Sequence, residues 1–213
     1  MKSWLIALMI GMLALAGCGS ASVKTNPAAT FPVAVSEDKP AFVFPINISH
    51  AGTPGDAKDM GLFVTGAIAT KYGKKVVSGQ QLFDQVGNLS FELAEGIRAQ
   101  VDANSFKMEG SAEKIADDLS KQMEDILKKL SELGLIKPDY KFKYIVAIHS
   151  HGKAGTLPNT VEVETWGGLY DVETKQIVSY IVSSDTIANN DAAAKGMLPN
   201  AYNNIIEKLL AGK

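Results

Sequence analysis

The chain has 213 residues, 46% of them apolar and 21% charged, with a formal net charge of -2. It is too apolar for a disordered chain and too charged for a polytopic membrane protein, and it lacks the basic excess of a nucleic-acid binder. Its one cysteine, Cys18, excludes an intrachain disulfide framework and every Cys-rich zinc pattern.

Met1-Lys2-Ser3 sets one positive charge ahead of an apolar run over residues 4–16. A hydrocarbon core needs roughly 20 apolar residues, so this run reads as the h-region of a signal peptide over 1–17. It ends in Leu15-Ala16-Gly17-Cys18. That run resembles the lipobox of bacterial lipoproteins, with small residues before the cut and then an obligatory cysteine. The resemblance implies a diacylglycerol on the Cys18 thiol, cleavage before it, and acylation of the new amino group. Membrane attachment is then through lipid. An ordinary secretory signal is the alternative, because Ala14-Leu15-Ala16 also fits an A-x-A site. Position 19 is Gly rather than Asp. Under the enteric sorting rule this resembles cargo released to the periplasmic face of the outer membrane.

After Cys18, residues 19–39 are rich in Ser, Ala, Thr, Asn and Pro and predict a flexible tether, leaving 40–213 as a single globular domain. Residues 41–48 predict a first strand, with Pro45 marking a bulge or an edge. Met60, Phe63, Val64, Ala67 and Ile68 give 57–72 one buried helical stripe, and 75–78 reads as a short strand. A short helix is expected over 80–86. A second begins at Asn88 as its cap and buries Phe91, Leu93, Ala94, Ile97 and Val101. Ala116, Leu119, Met123, Ile126, Leu130 and Leu133 then mark a longer core helix, stopped by Gly134 and Pro138.

The period changes to two over 140–149, where apolar residues on both faces predict a central strand. Val161, Val163 and Thr165 alternate with Glu162, Glu164 and Trp166, and Gly167-Gly168 allows a bend. A turn over 171–175 makes a hairpin with 177–182. A last helix buries Tyr202, Ile205, Ile206, Leu209 and Leu210, with Pro199 in its first turn. The expected fold is α+β, a mixed sheet of about five strands with helices packed on it.

This order, with the strand Phe42 to Ile48, the short Val76-Val77 strand, Tyr144-Ile145-Val146-Ala147-Ile148 and the hairpin at Asp171-Val172-Glu173-Thr174-Lys175, resembles the CsgG, PelC, LpoB and TolB-N-terminal-like periplasmic superfamily. Lys175 stands where the superfamily's turn prefers Gly. The resemblance implies a non-catalytic role, by binding envelope proteins or by homo-oligomerisation, and brings no catalytic residues.

His149-Ser150-His151 is the conspicuous polar cluster. Residues two apart on a strand point the same way, so both imidazoles could approach one metal ion, with Glu162 or Glu164 adding oxygen if the register allows. The competing reading is a pair of solvated histidines at a strand end. Trp166 is either core or a docking surface. Ser183-Ser184-Asp185 lacks a nucleophile elbow. Residues 152–156 lack the glycine spacing of a phosphate loop. No cofactor signature is present, and the expected protein is not an enzyme. A small-ligand or metal-binding lipoprotein using His149 and His151 is the alternative.

Overall fold

Where apolar residues alternate the chain forms strands, and where they recur every three or four residues it forms helices. The computed structural model describes residues 21–49 and 57–213. Its strands are β1 (Ala21–Thr25), β2 (Ala41–Val43), β3 (Asn47–Ser49), β4 (Val76–Ser78), β5 (Tyr144–Ala154), β6 (Thr160–Asp171) and β7 (Gln176–Ala188). Its helices are α1 (Ala57–Tyr72), α2 (Phe83–Asp102), α3 (Ser111–Glu132) and α4 (Asp191–Ala211).

The fold is α+β, as expected, with one mixed sheet in the order β1-β7-β6-β5-β2-β4, and β3 pairs with β5 beyond the end of β2. β4, β2 and β5 run parallel, whereas β5, β6, β7 and β1 are antiparallel neighbours. Helices cover both faces. On one, Val64 and Ile68 of α1 and Leu198, Ile205 and Leu209 of α4 pack on Val146, Ile148 and Val163. On the other, Leu93 and Ile97 of α2 and Ile126 and Leu130 of α3 pack on Ile145, Ala147 and Tyr180. β5, buried on both faces, is central, as its two-sided apolar pattern predicts.

The sheet has two more strands than expected. Pro45 splits the first predicted strand into β2 and β3; the interruption is satisfied by Gln80 Oε1, which accepts from Ile46 N at 2.8 Å, and by Ser90 Oγ, which donates to Pro45 O at 2.7 Å. The other addition is β1, inside the segment read as a tether. Ala21, Val23 and Thr25 are half-buried between exposed Ser22 and Lys24, and the strand pairs with β7 from Ala21–Ser183 to Thr25–Ser179. The chain then stays docked: Asn26 Nδ2 donates to Ile177 O at 2.9 Å and Val33 N to Leu210 O at 2.7 Å. Composition misses this because pairing with an open sheet edge satisfies backbone groups whatever the side chains.

Three helix expectations change as well. The segments 80–86 and 88–101 are one helix after a short 3₁₀ turn at Gln80–Leu82, with Asn88 exposed in its interior. Leu82, Val86, Ser90, Leu93, Ile97 and Val101 keep one buried face through that asparagine, so burial overrides its capping preference. Pro199 lies inside α4 rather than in its first turn. The helix starts earlier because Asn190 caps it, its side chain accepting from Ala193 N at 2.9 Å, before a run of alanines. Leu133 follows the end of α3 and is 53% exposed, and Phe63 and Phe91, expected in the buried stripes of their helices, are exposed instead. The side chains of Ala116 and Leu119 lie outside the described residues.

Candidate functional site

Cys18 lies outside the described residues. The first described residue after it, Ala21, opens the edge strand β1 opposite Ser183 of β7.

β5 presents its two histidines on the sheet face that carries α2, but at different depths. His149 is buried and His151 is exposed. The His149 ring lies 4.5 Å from the Phe91 ring and 4.5 Å from Trp166, and its Nδ1 makes no hydrogen bond to the protein. Burial, with a smaller contribution from His151, pushes its pKa down to about 4, so at neutral pH it is an uncharged ring among rings. The residue directly across from it on β6 is Trp166, which offers no oxygen. Glu164 stands across from His151, and Glu162 across from Lys153, which it holds at 3.3 Å. Among the described residues no three His, Cys, Asp or Glu side chains gather in a metal-binding arrangement.

Trp166 is 6% exposed and packs in the core. Its pairing with His149 puts it under α2, where the Arg98 guanidinium lies 4.9 Å from its ring centre.

On the opposite face, Ser150 meets residues that sequence reading treats only as strand alternation and helix core. Its Oγ lies 2.6 Å from Thr165 Oγ1 and 2.5 Å from Tyr202 OH, and all three residues are buried. Burial raises the Tyr202 pKa and keeps its hydroxyl protonated. This chain of hydroxyls lies beside a cleft of about 430 Å³ between α4 and the outer half of the sheet, with Ser183 and Asp185 on its wall. Strand parity alone sets Ser150 opposite the histidines. That Tyr202 would meet it depends on where α4 crosses the sheet.

A larger cleft, about 840 Å³, runs along β4, the sheet edge opposite β1. α1 forms one wall through Leu62, Gly66 and Ala69, and Leu135, Ile136 and Tyr140 form the other. Leu62 and Leu135 are about 40% exposed. Tyr140 OH donates to Lys74 O at 2.5 Å, which fixes the far wall to the start of β4. Gly66 adds no side chain to this wall, and a Cβ there would meet nothing within 4 Å.

Among the described residues no helix is long and apolar enough to cross a membrane. No family model matches the chain, and no curated protein matches it. Solved structures similar to it include a PelC dodecamer from Paraburkholderia phytofirmans, at 11% identity over 91% of this chain and 98% of that one, with a TM-score of 0.43. The hypothetical protein CT253 from Chlamydia trachomatis is 10% identical over 82% of this chain and 99% of its own, with a TM-score of 0.42. Lipoprotein GNA1162 from Neisseria meningitidis is 16% identical over 79% of this chain and 97% of its own, with a TM-score of 0.33.

Proposed function

We propose that the protein is a lipid-anchored component of the bacterial cell envelope, at the periplasmic face of the outer membrane, that works without catalysis by binding or assembling with other envelope components. The observation that carries this reading is Leu15-Ala16-Gly17-Cys18 closing an apolar run too short to span a bilayer. Acyl chains on one cysteine hold such a protein on a membrane by about 0.8 kcal/mol per buried methylene. The β4 edge supports the binding half of the proposal. An edge strand beside an apolar cleft offers unpaired backbone groups for an added strand and pockets for its side chains. Lys74, Lys137 and Lys141 line this cleft and are natural crosslinking handles.

Two measurements in cells test it. Wild-type protein is expected in the membrane fraction with an acylated Cys18 peptide, and the Cys18→Ser variant in the soluble periplasmic fraction. Amine-reactive crosslinking with mass spectrometry is expected to join Lys74, Lys137 or Lys141 to another envelope protein or to a second copy. Unchanged fractionation of the serine variant defeats the anchor. Turnover of a defined substrate by the purified protein defeats the non-catalytic role.

A further inference from the structure

The direction of β1 relates the anchor to the rest of the molecule. β1 is antiparallel to β7, so β1 read backward from Thr25 to Ala21 runs the same way as β7 read forward from Ser179 to Ser183. Cys18 is three residues before Ala21, a reach of at most about 11 Å. β7 continues five residues past Ser183, about 17 Å in the same direction. Its last residue, Ala188, pairs with Thr160, the first residue of β6, whose other neighbour β5 ends at Ala154. The connection over residues 155–159 therefore projects beyond the point to which the anchoring cysteine can extend.

The composition of this end fits a lipid surface. Residues 154–161 and 186–190 contain no Asp, Glu, Lys or Arg, Asp191 follows as the first residue of α4, and Leu157 at the turn is 55% exposed. The nearest charges on the hairpin, Lys153 and Glu162, neutralise each other at 3.3 Å. The turn is held in shape: Gly155 N donates to Thr160 O at 2.9 Å, Thr160 Oγ1 to Leu157 O at 2.7 Å, and Asn189 N to Asn159 O at 2.8 Å, which ties it to the end of β7. The other end of the hairpin sheet has the opposite character. There the β6–β7 turn carries Asp171, Glu173 and Lys175, and Lys143 reaches both carboxylates.

We infer that the β5–β6 turn, led by Leu157, enters the interfacial layer of the bilayer that holds the acyl chains, so that the sheet stands on the membrane with its charged β6–β7 turn pointing away. The inference rests on the lipid anchor proposed above. An anchor as short as this one holds the turn near the lipid at high effective concentration, and a rigid uncharged turn with an exposed leucine partitions there in preference to water. Orientation follows from two fixed points on one rigid sheet. The lipid fixes the start of β1, and the turn fixes the ends of β5 and β6.

The test uses the full chain, processed in cells and reconstituted into phosphatidylethanolamine–phosphatidylglycerol vesicles. Because lipidation consumes Cys18, one added cysteine can be labelled with a fluorophore, at Leu157→Cys, at Thr156→Cys as an independent neighbour, or at Thr174→Cys on the opposite turn. Spin-labelled phospholipids are expected to quench the probe at 156 and 157 at least about twofold more than at 174. Equal quenching at both ends, or stronger quenching at 174, on protein that floats with the vesicles overturns the orientation and leaves the anchor intact. Wild-type protein that fails to float overturns the anchor, and the orientation with it.

Discussion

His149 sits between the Phe91 and Trp166 rings with its Nδ1 unpaired, and burial there holds its pKa at about 4, against about 6.5 in an unfolded chain. Between those two values the unfolded chain binds a proton that the folded chain refuses. The stability contributed by the neutral ring is therefore complete above pH 6.5 and is lost as the pH falls toward 4. Urea unfolding at pH 7 and pH 4 is expected to show His149→Leu losing less stability on acidification than wild type, by the order of 1–3 kcal/mol. Parallel acid losses in the two proteins would remove the assignment. Sequence alone gives the direction of this side chain, since strand alternation places His149 and His151 on one face. It does not give the depth, because that is set by α2, which lays Phe91 over His149 and leaves His151 in solvent. The same helix position sets the burial of Trp166.

Among the elements, the β6–β7 hairpin is legible in detail because its turn chemistry is local. Asp171 Oδ1 accepts from Glu173 N at 2.8 Å and from Thr174 N at 3.0 Å, closing the turn as an aspartate at that place does. Lys175, where glycine is preferred, adopts φ +56 and is exposed. An L-residue in that region costs roughly 1–2 kcal/mol, partly offset because glycine has more freedom to lose on folding. Lys175→Gly is accordingly expected to stabilise the protein by about 0.5–1 kcal/mol in urea unfolding, and a destabilised variant would show that the lysine makes compensating contacts. The elements that sequence misplaces are those decided by distant partners. α2 runs through Asn88 because Leu82 and Val86 are buried with the rest of its stripe, and Gly168 of β6 is required by close approach, since a Cβ there would stand 2.5 Å from Ile97 Cγ2. Neither fact is written in the local pattern.

At the scale of the whole molecule, the decisive element is the one with the weakest sequence signal. β1 has only Ala21 and Val23 as apolar residues, yet it covers the edge of β7 from Ser179 to Ser183, and Asn26 and Val33 continue the seal to Ile177 and Leu210. If this segment were a free tether, a chain beginning at residue 27 would be as stable and as monomeric as one beginning at residue 19. The pairing predicts otherwise. Removing β1 exposes five residues of β7 backbone and loses the apolar contact of Ala21 and Val23, with an expected loss of about 1–3 kcal/mol. It also leaves β7 as an open edge strand with apolar neighbours, so the shorter chain is expected to self-associate at concentrations where the longer one does not. Urea unfolding and sedimentation of the two forms measure both effects. Identical stability with unchanged sedimentation would return residues 21–26 to the role of linker, and would free the sheet from the short connection that sets its distance from Cys18.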